Sequence, residues 1–323
     1  MDKFLFLTHD FTDPYFNLAS EEYLLKQRTE NFIYLWVNEP AVIVGVNQNT
    51  LQEVNLDYTL SHGIKVVRRQ TGGGAVYHDL NNICYTVIAP FDENADNYKK
   101  FTAPVIGYLN SLGVKAEFSG RNDIVIDGKK ISGNAQTVVN GRIMHHGTLL
   151  FDTDMTALER ALKPNKLKTE SKGIKSVRAR VANIKDYLPD MTVNDFKNGL
   201  SEYFKKSCEE YSLNKDDVGA INKLVNEKYS LYEWNVGRSP KGKNLFERKF
   251  PFGILSFSFD TVNGKIQNAD ISGDFFSVND VKEFAYSLNG VNFTKKDVSA
   301  AFKNVGEYIS GASAEEIVRE LFL

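Results

Sequence analysis

Short apolar runs that alternate with polar residues are spread along both halves of this chain. Runs rich in valine, isoleucine and aromatic residues predict β-strands, because these side chains suit a pleated and half-buried surface. The predicted strands cover 4–7, 32–37, 41–46, 65–69, 82–89, 253–259 and 265–271. Only Asn38-Glu39-Pro40 separates the runs at 32–37 and 41–46, which predicts a hairpin or two adjacent strands.

Two dipeptides with strong turn preferences predict hairpins in the middle of the chain. Asp127-Gly128 and Asn140-Gly141 each lie between alternating runs. Such pairs adopt the positive φ angles that a two-residue hairpin turn requires. We therefore predict one hairpin over 122–132 and a second over 135–150.

Apolar positions three and four residues apart, with a polar residue at the start of each stretch, predict helices. These helices cover 17–26, 99–112, 154–162, 192–210, 278–288 and 314–321. The mixture predicts an α/β (α+β mixed) fold, with a large catalytic domain of mixed β-sheets flanked by helices and a small C-terminal α+β domain. The polar stretch 237–243 is the best linker candidate, so we expect a catalytic domain over 1–240 and an accessory domain over 241–323.

The overall composition argues against several classes of protein. Hydrophobic residues make up 42% of the chain, which is enough for a core and argues against disorder. The net charge is −2, so no global basic field supports general nucleic-acid binding. No window approaches 18 apolar residues, and Cys84 and Cys208 are too few for a disulfide framework. We expect a cytoplasmic protein without membrane or nucleic-acid partners, with Cys84 in the core and Cys208 unreactive on the helix over 192–210.

The most unusual stretch is Arg68-Arg69-Gln70-Thr71-Gly72-Gly73-Gly74-Ala75-Val76-Tyr77-His78-Asp79. Three consecutive glycines lose much backbone freedom on folding, so they indicate a backbone that must come close to something. Glycine N–H groups and two forked, always-charged arginines suit a carboxylate or a phosphate. The stretch lacks the Lys-Ser/Thr ending of a P-loop and the spacing of a dinucleotide fingerprint. It therefore predicts an anion site of another kind.

The first hairpin predicts which side chains share a face. With a two-residue turn, Val125 faces Lys130 and Asp123 faces Ser132. Lys130 then shares a face with Asp123, at roughly 7–8 Å between backbones, whereas Lys129 lies on the opposite face at the turn end and reaches water. Lys130 is either a fixed cation for an anionic substrate or an exposed lysine whose surface ion pair contributes little. The hairpin alone favours the second interpretation.

Three further polar features leave alternatives open. His78-Asp79 suits either direct proton transfer or a structural, substrate-orienting role. His145-His146 does not predict a metal site, because adjacent residues on a strand point to opposite faces. The basic segment 163–180, with Glu170 as its one acid, is either a solvated face or a loop that covers the site.

Four motifs together resemble the lipoate–protein ligase A family, within the biotin/lipoate ligase superfamily. They are the stretch 68–79, Gly120-Arg121-Asn122-Asp123, Gly128-Lys129-Lys130-Ile131-Ser132-Gly133-Asn134-Ala135 and His145-His146-Gly147-Thr148-Leu149-Leu150. Further matches at 13–19, 48–49, 172–178, 234–237 and 273–276 extend the resemblance over nearly the whole chain. The departures are Gln70, Thr71 and Asn134. Thr71 keeps the hydroxyl of the family's serine, and Asn134 leaves the chain-length preference for the acyl group open.

The resemblance implies an ATP-dependent ligase that serves lipoate salvage. In the first step lipoate and ATP give lipoyl-adenylate and pyrophosphate, and in the second step the acyl group passes to a lysine of an acceptor protein. The implied acceptors are the lipoyl domains of 2-oxoacid dehydrogenase E2 subunits and the glycine cleavage H protein. ATP and Mg²⁺ are the implied cofactors, and a monomer is the expected oligomeric state.

The resemblance also implies which residues bind and react. Lys130 corresponds to the catalytic lysine that contacts the lipoyl carboxyl and phosphate oxygens, and Asp123 is the implied metal ligand. The implied ligands of lipoate and nucleotide are Arg69, Thr71, Gly72, Gly73, Gly74, Ala75, Val76, Tyr77, His78, Asn122, Asp123, Lys130, Ser132, Gly133 and Thr148. Joining a carboxylate to an α-phosphate brings two anions together, so fixed positive charge matters more than a strong base.

The main alternative is an octanoyl- or lipoyltransferase, an amidotransferase that uses an acylated protein donor without ATP. Such transferases resemble the same scaffold but form a thioester on a cysteine that follows the lysine motif. No cysteine lies between Lys130 and Lys206 in this chain. Biotin ligases share the broad architecture but have a different glycine-arginine signature, and a lipoate carrier would not need Lys130. The sequence therefore favours the ligase.

Overall fold

Fourteen strands and ten α-helices form the part of the chain that the computed structural model describes, which is residues 3–163, 181–237 and 244–322. The strands are β1 (Phe4–Thr8), β2 (Asn31–Val37), β3 (Ala41–Val44), β4 (Lys65–Arg68), β5 (Val76–His78), β6 (Asn82–Pro90), β7 (Ala116–Ser119), β8 (Asp123–Ile126), β9 (Lys129–Val139), β10 (Arg142–Leu150), β11 (Cys208–Tyr211), β12 (Asn244–Phe250), β13 (Gly253–Val262) and β14 (Lys265–Gly273). The helices are α1 (Pro14–Gln27), α2 (Thr50–Glu53), α3 (Leu56–Ser61), α4 (Asn97–Ser111), α5 (Met155–Ala161), α6 (Val193–Lys205), α7 (Lys215–Leu224), α8 (Val281–Ser287), α9 (Lys295–Ala301) and α10 (Ala314–Leu321).

The larger part of the fold is built on an eight-stranded mixed sheet in the order β11-β1-β2-β6-β10-β9-β8-β7. β1 pairs in parallel with both β11 and β2, and the remaining neighbours are antiparallel. Helices α1 and α7 pack on one face of the sheet, and α4 and α6 pack on the other. This arrangement confirms the predicted mixed α/β class.

Alternation along β2 shows how one strand supplies two cores. Ile33 and Leu35 pack in the cluster with α4 and α6, whereas Phe32, Tyr34 and Trp36 pack in the cluster with α1. All five side chains are buried. A strand that is buried on both faces has a continuous apolar sequence, which explains the uninterrupted run at 32–37.

A separate three-stranded sheet, in the order β4-β3-β5, packs on the α1 side of the large sheet. The prediction that 32–37 and 41–46 form a hairpin or adjacent strands is therefore wrong, because β2 and β3 belong to different sheets. The chain leaves the large sheet at Asn38, which is buried. Its amide group is bonded to Asn17 (2.9 Å) and to His78 (3.1 Å), so long-range contacts rather than a tight turn fix this corner.

Both predicted hairpin turns are confirmed, with Asp127 and Asn140 each at φ 49°. The strand between them, β9, is continuous over 11 residues and takes part in both hairpins. The two hairpins thus form one three-stranded unit within the large sheet.

The pairing of β8 with β9 differs from the prediction by a bulge. Val125 faces Lys130 as expected, but Asp123 faces Gly133 instead of Ser132. A bulge adds one residue to a strand and changes which side chains face each other beyond it. The predicted pairing of Asp123 with Ser132 is therefore wrong.

The long amphipathic stretch after residue 191 forms a shorter helix than predicted. Thr192 and Asp195 form a capping box at the start of α6, which confirms the predicted threonine cap. The helix ends at Lys205, and Cys208 begins β11, which pairs with β1 at the sheet edge. The placement of Cys208 on a helix is therefore wrong, because pairing with β1 outweighs the local helical pattern.

Residues 244–322 form a second unit, an antiparallel sheet β12-β13-β14 that packs with α8, α9 and α10. Its backbone contacts the first unit, since Gly273 N donates to Asn47 O (2.7 Å) and Gly73 N donates to Phe275 O (3.3 Å). The predicted domain boundary at 240, most of the linker 237–243 and most of the basic segment 163–180 lie outside the described residues. Among the helices described, none combines the length and the apolar character that crossing a membrane requires.

Candidate active site

A cavity of about 150 Å³ lies between α1, the large sheet and the small sheet. Many residues that the sequence predicts for the site line it: Arg69, Gly73, Gly74, Ala75, Val76, His78, Asn122, Lys130, Gly133 and Thr148. The other predicted residues, Thr71, Gly72, Tyr77, Asp123 and Ser132, are not part of this lining. The fold therefore brings the four motifs together at one place.

The cavity has two chemically different ends. Its rim consists of the partly exposed lining residues, which are Gly74, Ala75, Val76, Asn122, Lys130, Gly133 and Thr148. Its floor consists of Leu18, Trp36, Ile43 and Cys84, each no more than 2% exposed. A rim that carries the charge of Lys130, together with an apolar floor, suits a ligand with a charged head and a hydrocarbon tail.

Lys130 is held at the rim by Asp123. Its Nζ lies 2.7 Å from Asp123 Oδ1, and both side chains are about one-third exposed. The predicted neighbourhood of the two residues is confirmed, although the bulge changes the register that produces it. The ammonium also lies beside Gly133, where an added Cβ would come within 2.9 Å of Nζ. A partly exposed ion pair contributes little to stability, so its main effect is to fix a cation at the rim.

Arg69 fixes the path of the glycine stretch from inside the protein. Its guanidinium donates to Thr71 Oγ1 (2.9 Å) and to the carbonyl groups of Ile43 (3.1 Å), Gly72 (2.6 Å) and Gly74 (2.9 Å). Burial lowers the pKa of Arg69 to about 10, which leaves the side chain charged at neutral pH. Charged donors form stronger hydrogen bonds than neutral ones, so this loop is held firmly.

Arg68 contributes to the fold rather than to the cavity. It is fully buried and donates to the carbonyl groups of Gly45, Gln48 and Trp234 and to Thr50 Oγ1. These bonds join the glycine stretch to the segment that leaves the first unit. The two adjacent arginines, which the sequence presents as a pair of anion donors, therefore have separate roles.

The glycines come close to protein atoms. A Cβ at Gly72 would lie 2.4 Å from Phe275 O, and Gly73 has φ +89°, a conformation that favours glycine. Gly73 N donates to the same carbonyl group. The sequence predicts that the glycine backbone comes close to something, and at Gly72 that partner is the C-terminal unit. Gly73 and Gly74 also line the cavity.

His78 lies in the cavity wall as a neutral imidazole. Burial, and to a smaller extent the positive charge of Arg69, lowers the pKa of His78 to about 3. Asn38 Nδ2 lies 3.1 Å from its Nδ1, whereas Asp79 accepts a hydrogen bond from the backbone of Asp154 (2.8 Å). A group with so low a pKa is a poor proton carrier at neutral pH. These contacts support the orienting interpretation of His78.

His145 and His146 point to opposite faces of β10, as their adjacent positions predict. His145 lies among the rings of Tyr85, Tyr98 and Phe101, and burial lowers its pKa to about 3. His146 lines the cavity on the other face. Within the described ranges, no three His, Cys, Asp or Glu side chains form a group that could hold a metal ion.

Three further predicted residues are buried outside the cavity lining. Thr71 is fully buried between Arg69 and His146. Tyr77 packs in the apolar cluster of the small sheet, and Ser132 is fully buried within β9. Their roles in ligand binding stay predictions.

Sequence reasoning missed the floor of the cavity and one buried carboxylate behind it. Trp36 and Cys84 are register partners on β2 and β6, so a correct pairing of these strands would have placed them together. Cys84, which the sequence assigns to the core, lies in the floor. Glu21 on α1 is 2% exposed, and nothing in the sequence distinguishes it from its neighbour Glu22.

Comparisons with protein families agree with this geometry. The model of the lipoyl protein ligase A/B catalytic domain matches residues 13–205, and the model of the bacterial lipoate protein ligase C-terminus matches residues 239–321. Together with the cavity and its rim lysine, these matches define a ligase that acts on an acyl group. The chain belongs to the lipoyl protein ligase family.

Individual proteins lead to the same family. Lipoate-protein ligase LplJ of Bacillus subtilis is 42% identical over 320 residues, covering 96% of this chain and 97% of that protein. The crystal structure of P. falciparum LipL1 in complex with lipoate has a TM-score of 0.80 at 27% identity and covers 98% of both chains. The crystal structure of lipoate-protein ligase A bound with ATP has a TM-score of 0.63 at 28% identity, covering 73% of this chain and 98% of that chain.

Proposed function

We propose that this protein is an ATP-dependent lipoate–protein ligase and that its cavity holds free lipoate during adenylation. The observation that carries this proposal is Lys130, a cation fixed by Asp123 at the rim of a cavity with an apolar floor. A carboxylic acid with a long apolar tail is the ligand that such a site fits. The relatives that bind lipoate and ATP support the same pair of ligands here.

In the first step a carboxylate oxygen of lipoate forms a bond to the α-phosphorus of ATP. The bond from that phosphorus to the oxygen that bridges to the β-phosphorus breaks, and pyrophosphate leaves. Both reactants are anions, so Lys130 lowers the barrier by stabilising the charge that develops between them. A carboxylate needs no base to attack, which agrees with a neutral His78.

The rim residues are the proposed ligands of the nucleotide and of the lipoate carboxyl group. The floor residues Leu18, Trp36, Ile43 and Cys84 are the proposed contacts of the acyl chain. Mg²⁺ that arrives with ATP binds proteins through one or two carboxylates and keeps phosphate and water as its other ligands. Asp123, which is about one-third exposed beside Lys130, is the carboxylate that we propose for it.

In the second step the amine of an acceptor lysine attacks the lipoyl carbonyl carbon, and AMP leaves. The proposed acceptors are the lipoyl domains of 2-oxoacid dehydrogenase E2 subunits and the glycine cleavage H protein.

We propose that a monomer performs both steps in the cytoplasm, with a catalytic domain over 1–240 and an accessory domain over 241–323. Cys84 and Cys208 are both free thiols, which is consistent with a reducing compartment.

The second candidate function is that of a transferase that forms a thioester, and Cys84 is the residue that tests it. It lines the floor, and its Sγ lies 3.6 Å from His78 Nδ1. A nucleophilic cysteine needs a lowered pKa, but burial raises the pKa of the Cys84 thiol well above its usual value. His78, with a pKa of about 3, offers no positive charge to stabilise a thiolate. These properties favour a packing role for Cys84 and therefore the ligase.

Lipoate-dependent exchange of labelled pyrophosphate into ATP separates the two candidates. A ligase forms the adenylate reversibly, so label enters ATP only when lipoate is present. A transferase gives no exchange and moves the acyl group only from an acylated protein donor. Exchange with lipoate supports the proposal, whereas no exchange together with ATP-independent transfer from lipoylated H protein would overturn it.

A further inference from the structure

A chain of buried side chains runs from α1 to the glycine stretch. Glu21 Oε1 lies 2.8 Å from His146 Nδ1. On the other side of the imidazole, Nε2 lies 2.8 Å from Thr71 Oγ1, which accepts a hydrogen bond from Arg69 Nε (2.9 Å). All four residues are buried. Three hydrogen bonds therefore link a carboxylate on α1 to the arginine that holds the glycine loop.

The proton positions in this chain follow from its two ends, because Arg69 can only donate and the carboxylate of Glu21 can only accept. Thr71 Oγ1 accepts from Arg69 and donates its own proton to Nε2 of His146. His146 then has its proton on Nδ1 and donates it to Glu21. In this arrangement each donor has an acceptor, and the chain ends on a negative charge.

Glu21 also reaches the floor of the cavity. Thr86 Oγ1 donates to Glu21 Oε1 (2.6 Å) and accepts from Trp36 Nε1 (2.9 Å). Trp36 is a floor residue, and Thr86 lies beside it on the neighbouring strand β6. The same carboxylate oxygen is thus bonded toward the glycine loop on one side and toward the indole on the other.

We propose that Glu21 is a positioning residue whose buried carboxylate aligns both ends of the cavity for adenylate formation. Through one branch it holds the guanidinium of Arg69, and through the other it holds the indole of Trp36. The inference rests on the proposed function, because adenylation is the step that it serves. Glu21 is not part of the cavity lining, so we propose that it acts through the residues that it holds.

The electrostatics support the branch to Arg69. Arg69 is buried, and burial disfavours its charged form. The negative charge of Glu21 acts in the opposite direction and favours the charged form. A neutral residue at position 21 would therefore weaken both the hydrogen-bonded chain and the balance of charge around the loop.

Glu22 is a matched control on the same helix. It is also buried, and its carboxylate is bonded to Lys26 (2.8 Å), Lys228 (2.7 Å) and Tyr229 (2.8 Å). It is not part of the cavity lining. Glutamine at either position removes one buried negative charge from α1, but only Glu21→Gln weakens the chain to Arg69 and Trp36.

The test is steady-state pyrophosphate exchange with folded variants. We expect Glu21→Gln to lower kcat about tenfold and to raise the KM for lipoate about threefold, the scale of one hydrogen bond to a charged group. We expect Glu22→Gln to lower the melting temperature about as much as Glu21→Gln does. Its kcat and KM should stay close to those of the wild type. Circular dichroism confirms that each variant is folded at the assay temperature.

Two hydroxyl variants separate the branches. Thr71→Val removes the link to Arg69 and should lower kcat, whereas Thr86→Val removes the link to Trp36 and should mainly raise the KM for lipoate. Thr71→Ser and Thr86→Ser keep the hydroxyl and should recover most of each loss. Because Glu21 and Thr71 belong to one chain, the double variant Glu21→Gln/Thr71→Val should lose little more kcat than Thr71→Val alone.

Losses that multiply in the double variant would overturn the proposal. So would a Glu21→Gln protein with a lowered melting temperature and unchanged kinetics, since that is the behaviour of a purely structural residue. If the wild type itself shows no exchange, the proposed function fails, and calorimetric titration with ATP decides the positioning role separately. Weaker ATP binding by Glu21→Gln than by Glu22→Gln then supports the role, and equal binding overturns it.

Discussion

The rim and the floor of the cavity are built from different elements and differ in almost every physical property. The rim comes from the glycine stretch, from Asn122 before β8 and from strands β9 and β10, and its Lys130 is charged and partly exposed. The floor comes from α1, β2, β3 and β6, and its side chains are apolar and buried. The rim thus has a solvent-accessible ion pair, whereas the floor is part of the closely packed core.

This difference shows how one site can serve both chemistry and recognition. A charge at the rim stays usable because water offsets part of its desolvation cost. A buried floor contains no charge that is needed for the reaction, and it selects ligands by shape and apolar contact. Substitutions at the rim should therefore change the rate, whereas substitutions in the floor should change which acid binds.

The largest effect is expected for Lys130→Ala at the rim. We expect a loss of about 10²–10³-fold in lipoate-dependent pyrophosphate exchange, because a fixed cation is removed from the developing charge. Lys129, the adjacent lysine, is exposed at the turn end, so Lys129→Ala should retain most of the exchange. Equal losses in the two variants would contradict the assignment of Lys130 to the rim chemistry.

A smaller effect is expected for Asp123→Asn, which keeps the shape but removes the charge beside Lys130. Exchange should fall about 10- to 100-fold, the scale of one charged hydrogen bond, and added Mg²⁺ should restore part of it. Asp152→Asn is the control, because Asp152 forms an exposed pair with Lys185 (3.1 Å). A titration of exchange rate against Mg²⁺ checks this, and identical curves for Asp123→Asn and the wild type would remove Asp123 from the metal site.

A change of specificity is expected for Cys84→Leu in the floor. The larger side chain should raise the KM for lipoate about tenfold, while hexanoate is affected less, because the loss of apolar space penalises the longer chain more. Cys208→Leu, on the edge strand β11, should leave the ratio of the two KM values as in the wild type. KM values for a series of straight-chain acids measure the effect, and a uniform loss across the series would argue against a role in chain-length selection.

The smallest effect is expected for replacement of the thiols by hydroxyl groups. Cys84→Ser and Cys208→Ser should each keep ATP-dependent acyl transfer, because neither thiol forms a bond to the acyl group in the proposed reaction. Gel-shift or mass analysis of a lipoylated acceptor domain gives the readout. Loss of transfer in a folded Cys84→Ser protein would indicate that the floor thiol of Cys84 takes part in the reaction, which would support the thioester alternative.

Local signals in the sequence predict local structure well. Asp127-Gly128 and Asn140-Gly141 determine their turns through backbone preference alone, and both turns are present. Part of the rim could be recognised from local sequence as well. The unusual composition of the glycine stretch marked it without any tertiary information, whereas Lys130 was assigned to the site only through the resemblance to the ligase family.

Features that depend on pairing between strands far apart in the sequence could not be predicted from local sequence. The bulge that sets Asp123 against Gly133, the separation of β2 from β3, and the strand that begins at Cys208 each depend on a partner far along the chain. The floor is of this kind as well. Trp36 and Cys84 look like ordinary core residues until β2 and β6 are paired.

The contact at Gly72 limits how this protein can change during evolution. A methyl group there would meet a main-chain oxygen, that of Phe275, and not a side chain. A second substitution at position 275 leaves that oxygen in place, so it cannot compensate for alanine at position 72. A genetic selection for suppressors of Gly72→Ala should therefore recover changes that shift the path of the backbone around β14, and it should rarely recover exchanges of the Phe275 ring.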